Sequence, residues 1–390
     1  MLLNKTQKLL DRIIFIRFCE SNSIIANDTL KDLIESAKKD KFIIAKDKIV
    51  SRLNVLFAAI DVGNKPLNIN KFNGGLFKED ADFNSLIMDD EILKPVLKLV
   101  EYDFKSDLDV NILGHIFEQS LSDIEELKAE ISGEVLDKKQ GKRKKDGIYY
   151  TPDYITKYIV EEAIGGWLKD RRAELNEAAL PELTEDDFKS IVLIAKGKEK
   201  GTIKHNVNIQ TQIDFYQAYK EILADIKVLD PACGSGAFLN QAFDFLYAEN
   251  KRVNRILAEL LYPAESSQFN LLKLNEHLDI QILKNNLFGV DLNEESIEIT
   301  RLSLWIKTAN RSDELTTLDD NIKCGNSLID DEKIAGNKAF VWGNEFKDVM
   351  EKGGFDVVIG NPPYVNIYNM SSLDRDYFNL SKSYSSTYLK

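Results

Sequence analysis

Two periodicities divide the chain. Over residues 1–135 apolar side chains recur at three- and four-residue spacing between charged faces (Leu9, Ile13, Ile16; Leu30, Leu33, Ile34; Leu113, Ile116, Phe117), the period of amphipathic helices. Asn73-Gly74-Gly75 and the KPLN segment at 65–68 punctuate that stretch as turns. Residues 136–147 hold six basic residues around Gly141 and almost nothing apolar, which reads as a basic surface linker. Helical periodicity resumes over 153–225 (YITKYIVEEAIGGWL, IDFYQAYKEIL), broken by a polar, Gly- and Lys-rich turn at 196–204. From 226 the pattern changes again. Short apolar runs (IKVLD at 226–230, NLFGVDL at 286–292, NIKCGNSLI at 321–329, FDVVIG at 355–360) alternate with amphipathic stretches such as AFLNQAFDFLYAEN and EESIEITRLSLWIKTA. Strand, helix, strand, helix is the signature of an α/β fold with a parallel sheet and crossover helices.

Composition narrows the chemistry. With 390 residues, 44% of them hydrophobic and 29% charged, the chain has material for more than one core. The net charge of −13 excludes a general polyanion binder, so any nucleic-acid contact is local, with the 136–147 linker as a phosphate-contacting arm or merely a solvated charge run. Cys19, Cys233 and Cys324 form no CxxC, and His115, His205 and His277 share no ligand spacing, so neither a disulfide framework nor a metal site is expected. The IIFIRF run at 13–18 is short, contains Arg17 and is followed by Glu20. It is neither a signal peptide nor a membrane span, and a cytoplasmic protein is expected.

Four motifs end the four apolar runs. Asp230-Pro231-Ala232-Cys233-Gly234-Ser235-Gly236 closes the first; its glycines permit a sharp turn and close backbone approach to a ligand, ahead of a helix N-terminus with unpaired N–H groups. Gly289-Val290-Asp291-Leu292 closes the second. Asp291 stands where an acid accepts from ribose hydroxyls, and equally where a helix takes an N-cap or first-turn acid. Cys324-Gly325-Asn326-Ser327-Leu328 follows the third, and Asn326 has the donor and acceptor needed to read an adenine edge, or is a turn asparagine. Asn361-Pro362-Pro363-Tyr364 follows the fourth. The Asn361 oxygen and the Pro362 carbonyl can accept both protons of one exocyclic amine, and Tyr364 offers a stacking face for its base.

In this order the motifs resemble the S-adenosylmethionine-dependent N6-adenine DNA methyltransferases of type IIG restriction–modification proteins, in the group whose cofactor motifs precede the catalytic one. Gly147-Ile148-Tyr149-Tyr150-Thr151-Pro152 resembles the family's extra cofactor motif, and LLDRIIFIRFCE (9–20), NGGLF (73–77) and LGHIFEQSL (113–121) its preceding helical domain. The resemblance implies a helical domain at 1–135, the linker, and a Rossmann-like methyltransferase domain at 148–390 with a helical lead-in over 153–225 and a partial parallel sheet over 226–390. It implies that Tyr150, Thr151 and Pro152 hold the methionine end of the cofactor. Asp230, Ala232, Gly234 and Gly236 would take its amino acid and the adjoining loop, Asp291 its ribose and Asn326 its adenine. Asn361, Pro362, Pro363 and Tyr364 would form the active site, acting without metal on an adenine flipped from double-stranded DNA.

Two departures accompany the resemblance. The chain ends soon after Tyr364, so the expected domain is C-terminally truncated and lacks a target-recognition domain; such a piece is expected to be silent on DNA. No nuclease motif is convincing, since Glu126-Leu127-Lys128 and Glu345-Phe346-Lys347 lack an upstream strand Asp. A type I modification subunit, a glutamine or RNA methyltransferase, and a non-catalytic module of the same fold are the competing readings.

Overall fold

A computed structural model of the chain describes residues 2–40, 46–67, 69, 71, 76–86, 88–102, 127, 151–189, 192–193, 203–261, 271–307, 318–362 and 375–378. The basic linker, the LGHIFEQSL segment and the Asn73-Gly74-Gly75 turn lie outside these residues. Helices α1 (Leu2–Ser21), α2 (Thr29–Lys39) and α3 (Lys48–Val62) open the chain, followed by the short α4 (Ala81–Asn84) and α5 (Asp90–Leu97). Of the apolar positions that predict these helices, Leu9, Ile13, Ile16, Leu30 and Ile34 are buried and Leu33 is half-buried; in α3, Leu53 and Ile60 are essentially without exposure.

The two charges in and beside the IIFIRF run are buried rather than presented to water. Arg17 donates to Glu20 one turn on, and to the carbonyls of Leu99 (3.2 Å) and Tyr102 (2.8 Å). The other Glu20 oxygen accepts from the backbone N–H of Leu30 at 2.6 Å, in the first turn of α2. Glu20 thus supplies the cap that Asp28, held at φ 62° with no side-chain bond to the helix, does not. Asp90 performs the same service for α3, accepting from Ile49 and Val50, where the preceding Asp47 makes no cap bond. In both cases a distant acid rather than the adjacent one supplies the cap.

The described residues of 153–225 include the helices α6 (Asp153–Glu174), the short α7 (Glu185–Lys189) and α8 (Val207–Asp225). The 196–204 turn differs from expectation at its end, because Ile203–Lys204 (β2) pairs antiparallel with Val192–Leu193 (β1). A Tyr219 hydroxyl at the centre of α6, α8 and α9 (Ala237–Leu261) donates to Glu249 (2.8 Å) and accepts from Arg172 (3.1 Å), so one buried phenol ties three helices together.

The predicted α/β sheet is present. Strands β3 (Val228–Asp230), β4 (Leu287–Asp291), β5 (Ile322–Cys324) and β6 (Val357–Val358) lie in the order β5-β4-β3-β6, all parallel. They are shorter than the apolar runs that announce them, because each ladder stops where its motif turns away. Asn326, for instance, leaves β5 and donates its N–H to the Lys338 carbonyl. Two buried asparagines fix the amino ends: the Asn286 amide donates to carbonyls of Leu223 and Ile226, and that of Asn321 to Lys284 and Leu287.

Alternation along the strands separates two faces. Val228 and Leu287 face the main core with α9 to α11, where α10 is Leu278–Asn285 and α11 is Glu294–Ile306. Leu229, Phe288 and Val290 face an aromatic layer of Phe340, Phe346 and Phe355, with Phe288 edge-on to Phe346 at 5.6 Å. The main core is continuous from α1 to β6, taking in Ile13, Leu53, Leu239 and Ile359 alike. No described helix is long and apolar enough to cross a membrane.

Because Arg17 and Glu20 are both buried, removing one partner strands the other. Arg17→Met should destabilise the chain by about 3–5 kcal/mol, and Arg17→Met with Glu20→Gln should recover part of that loss in chemical denaturation. A single variant as stable as wild type would refute a tethering role for the pair.

Candidate active site

Strand order reverses between β3 and β6. β3 leads by crossover to β4 on one side, while β6 returns to its other flank, leaving a crevice at the carboxyl ends where open parallel sheets bind ligands. The motif residues gather along that edge. Asp230 is the last residue of β3 and Gly360-Asn361 continue directly from β6. Thr151, 210 positions earlier, sits just ahead of α6, and the Asn361 side-chain amide donates to its hydroxyl at 3.2 Å. Pro152 is the residue preceding α6; its carbonyl accepts from Ile155 and Thr156 and starts the helix. Asn361 and Pro362 are exposed, open to a substrate from outside. Tyr150, Pro363 and Tyr364 lie outside the described residues.

Asp230 is buried, and one of its oxygens accepts from the Ala232 N–H at 3.1 Å while the other has no partner. Burial, reinforced by the nearby Asp291 charge, pushes its carboxyl up to about 7. Gly360 crosses directly above it at φ +149°, and a Cβ there would lie 2.7 Å from an Asp230 oxygen. Only glycine fits.

The glycine loop between β3 and α9 is held from three sides. Gly234 takes φ +53° and donates its N–H to Asp291 at 2.9 Å, and its carbonyl accepts from the Thr300 hydroxyl at 2.7 Å. Gly236, at φ +87°, packs so closely on Thr300 that a Cβ would meet its methyl at 2.9 Å. The Cys233 thiol is buried and its pKa is driven upward, first by burial and then by Asp291 and Asp230, so it is packing and not a nucleophile.

Asp291 ends β4 with its carboxylate raised by burial, the effect offset by N–H donors from Asn293, Gly234 and Leu292 and by the charge of Lys338. The helix-cap role falls to Asn293, whose side chain accepts from Ser296 in the first turn of α11 at 3.3 Å. Asp291 instead joins the glycine loop to its own strand end. Asn326 lies at the end of β5, where its side-chain oxygen accepts from Leu328 N–H at 3.1 Å and closes its own turn.

Four contributors escaped sequence reading. Gly360 was signalled only as the last letter of FDVVIG; Thr300, Asn293 and Lys338 carry no motif. Among the described residues no group of His, Cys, Asp and Glu could hold a metal ion. A cavity of about 740 Å³ lies away from the motif edge, between α1 and α11, lined by Lys5, Lys8, Asp80, Glu294 and Glu298. Its charges are largely committed to one another: Lys5 and Lys8 both pair with Asp80, and Glu298 with Arg301. The site chemistry therefore belongs to the crevice, whose donor set is two buried carboxylates, a glycine loop and a helix N-terminus. That set fits a ligand with a cationic amine at one end and a hydroxylated nucleoside at the other.

The crevice thus combines an open α/β sheet with a glycine loop after β3, an acid ending β4 and Asn-Pro after β6. Residues 285–390 match the family model described as Eco57I restriction-modification methylase, and the chain is homologous to type II restriction–modification methyltransferases. It is 28% identical over 362 residues to a putative type II restriction enzyme and methyltransferase of Methanocaldococcus jannaschii, covering 82% of this chain and 27% of that protein. It is 24% identical over 392 residues to the type II restriction enzyme and methyltransferase Eco57I of Escherichia coli, covering 94% of this chain and 31% of that protein. A shorter match, 26% over 159 residues, covers 40% of this chain and 11% of the adenine-specific methyltransferase PglX of Lacticaseibacillus casei. The fold resembles that of the type IIL restriction–modification enzyme MmeI, solved in complex with DNA, with a TM-score of 0.57 at 18% identity over 96% of this chain and 42% of that one. The chain thus spans about a third or less of the curated relatives it matches.

Asp230 has a folded-state pKa of about 7 against 3.8 for a free carboxyl, so its stabilising contribution is complete below about pH 4 and is lost as pH rises through about 7. Asp230→Asn keeps the Ala232 bond and removes the titration. Its stability relative to wild type should therefore rise between pH 4 and pH 8, by on the order of 3 kcal/mol. Parallel pH profiles of the two proteins would refute the burial argument. Gly360→Ala should cost about 1–3 kcal/mol through its backbone conformation alone, read by thermal denaturation.

Proposed function

We propose that this chain is the catalytic part of an S-adenosylmethionine-dependent DNA methyltransferase that modifies adenine N6 within a restriction–modification system. The observation that carries the reading is the Asn361–Thr151 hydrogen bond, which joins the two motifs farthest apart in sequence at the strand-order reversal. The adenine-specific name of one relative and the DNA complex of the fold neighbour agree with it.

Thr151 takes the nitrogen side of the Asn361 amide, which leaves the amide oxygen for an outside donor. That oxygen and the Pro362 carbonyl accept the two protons of an exocyclic amine, steady its nitrogen and favour attack by its lone pair. S-adenosylmethionine supplies a methyl group already activated on a sulfonium. Asp230, with its unpartnered oxygen, takes the ammonium of the cofactor's amino acid; Asp291 takes the ribose hydroxyls, and the 234–236 loop lets the backbone come close. Asn326 borders the adenine. Tyr150 completes the methionine end, and Pro363 and Tyr364 complete the substrate side, Tyr364 by stacking on an adenine swung out of double-stranded DNA.

Labelled-methyl transfer to duplex DNA by chains lengthened to the span of its relatives should give N6-methyladenine on nucleoside analysis. Label on cytosine or protein alone would sink the proposal. Asn361→Ala should abolish transfer with cofactor affinity nearly intact, whereas Asp291→Ala should weaken cofactor binding by about 1–3 kcal/mol. Calorimetric titration separates the two, and equal losses of affinity would contradict the division of labour.

A further inference from the structure

The adenosine end of the crevice contains a cation that no motif announces. Lys338 lies in the one-turn helix Gly336–Lys338, beyond β5, and its carbonyl accepts the Asn326 N–H at 2.7 Å. That bond, with the bridge between Asn326 and Ala339, folds the segment back over the ends of β4 and β5. Its ammonium donates to the Cys324 sulfur at 2.9 Å, and the Cys324 thiol points on to the Leu292 carbonyl at 3.5 Å, one residue past Asp291. The Gly325 N–H returns to the Asp291 carbonyl at 2.9 Å, closing a ring of contacts around the end of β4.

The charges facing Asp291 make that cation consequential. From the β3 loop come Asp230 and the Cys233 thiol, both of which oppose ionisation of Asp291 or are opposed by it. From β5 comes Cys324, and from the turn beyond it Lys338, the cationic side chain that acts on Asp291 in the opposite sense. A carboxylate asked to accept from ribose hydroxyls must be ionised while buried beside another acid. Backbone N–H groups of Asn293, Gly234 and Leu292 supply most of the compensation, and the charge of Lys338 adds to it.

We propose that Lys338 is a positioning residue of the cofactor site: lodged on the Cys324 sulfur between the ends of β4 and β5, its ammonium keeps Asp291 ionised and aligned for the ribose. The proposal rests on the reading of the crevice as an S-adenosylmethionine site. Lys338 itself touches neither the methyl group nor the substrate amine, so its effect falls on cofactor affinity and on the pH dependence of that affinity.

Two measurements test it. In calorimetric titrations with S-adenosylmethionine, Lys338→Met should bind about tenfold more weakly than wild type at pH 6 and less than about threefold more weakly at pH 8, because loss of the cation moves Asp291 ionisation to higher pH. Lys338→Arg, which keeps the charge, should stay within about twofold of wild type at both. A Lys338→Met protein with the wild-type affinity and profile, or a Lys338→Arg protein as impaired as Lys338→Met, would overturn the proposal.

The second measurement needs no cofactor. Without ligand, Lys338→Met should be destabilised more at pH 8 than at pH 4, since Asp291 then carries its charge uncompensated, and the difference should vanish in an Asp291→Asn background. Absence of that coupling overturns the proposal. Coupling present in a wild-type protein that binds no S-adenosylmethionine at any pH would instead overturn the cofactor reading. Should Lys338→Met fail to fold, Lys338→Gln serves in both experiments.

Discussion

Parallel pairing of β6 against β3 brings a buried carboxylate under a backbone that has no side chain, and the geometry of the crevice follows from that contact. The register sets Leu229 opposite Val358, and Asp230, one residue on, lies beneath Gly360, two residues on. With any other residue at 360 the strand end would lift away from Asp230. Asn361 would then leave the Thr151 hydroxyl, because the asparagine directly follows the glycine. A single steric condition therefore holds the acid after β3, the asparagine after β6 and the threonine ahead of α6 in one place.

The electrostatics of the crevice run against folding and in favour of a cationic ligand. Asp230, Asp291 and the Cys233 thiol crowd the ends of β3 and β4, each disfavoured in its charged form by burial, Asp230 also by Asp291 and Cys233 by both acids. Backbone N–H groups of Ala232, Gly234 and Asn293 offset part of this, but one oxygen of Asp230 has no partner at all. An unpaired buried acceptor costs on the order of 1–3 kcal/mol, and a bound ammonium is the group that would return it. Strain of this kind is expected where a protein holds a site ready, since a fully satisfied cluster has nothing left to offer a ligand.

Much of this arrangement was legible in the sequence, for a physical reason. Loops that approach a ligand or turn sharply need glycine and proline, and those residues mark Gly234, Gly236 and Pro362 without knowledge of the fold. The order of apolar runs and helical stretches likewise announces a parallel sheet, since parallel strands demand crossovers. Roles decided by tertiary neighbours were not legible. Glu20 caps α2 from ten positions away and Asp90 caps α3 from about forty, while the acids adjacent to those helices do not cap them. Arg17, inside the apolar IIFIRF run, is buried and donates to two carbonyls. Asp291 could be a cap or a ligand acid by sequence alone; it took the side chain of Asn293 to settle which residue caps α11. Thr300 and Lys338 act through contacts that no spacing rule encodes.

Helix α11 shows why the N-terminal helices matter to the site although they contribute nothing to it directly. One face of α11 carries Thr300, which holds the Gly234 carbonyl, and Ser303, which receives the Asn240 amide from α9. Arg301, between them in sequence, donates to the Ile322 carbonyl at the start of β5. Glu294, Glu298 and Leu302 face the other way, across the cavity toward α1 and the Lys5–Asp80 pair. The N-terminal helices and α11 share the main core, and Thr300 and Arg301 tie α11 to the glycine loop and to β5. The helices that resemble a mere scaffold in sequence bear, through one helix, on both ends of the crevice.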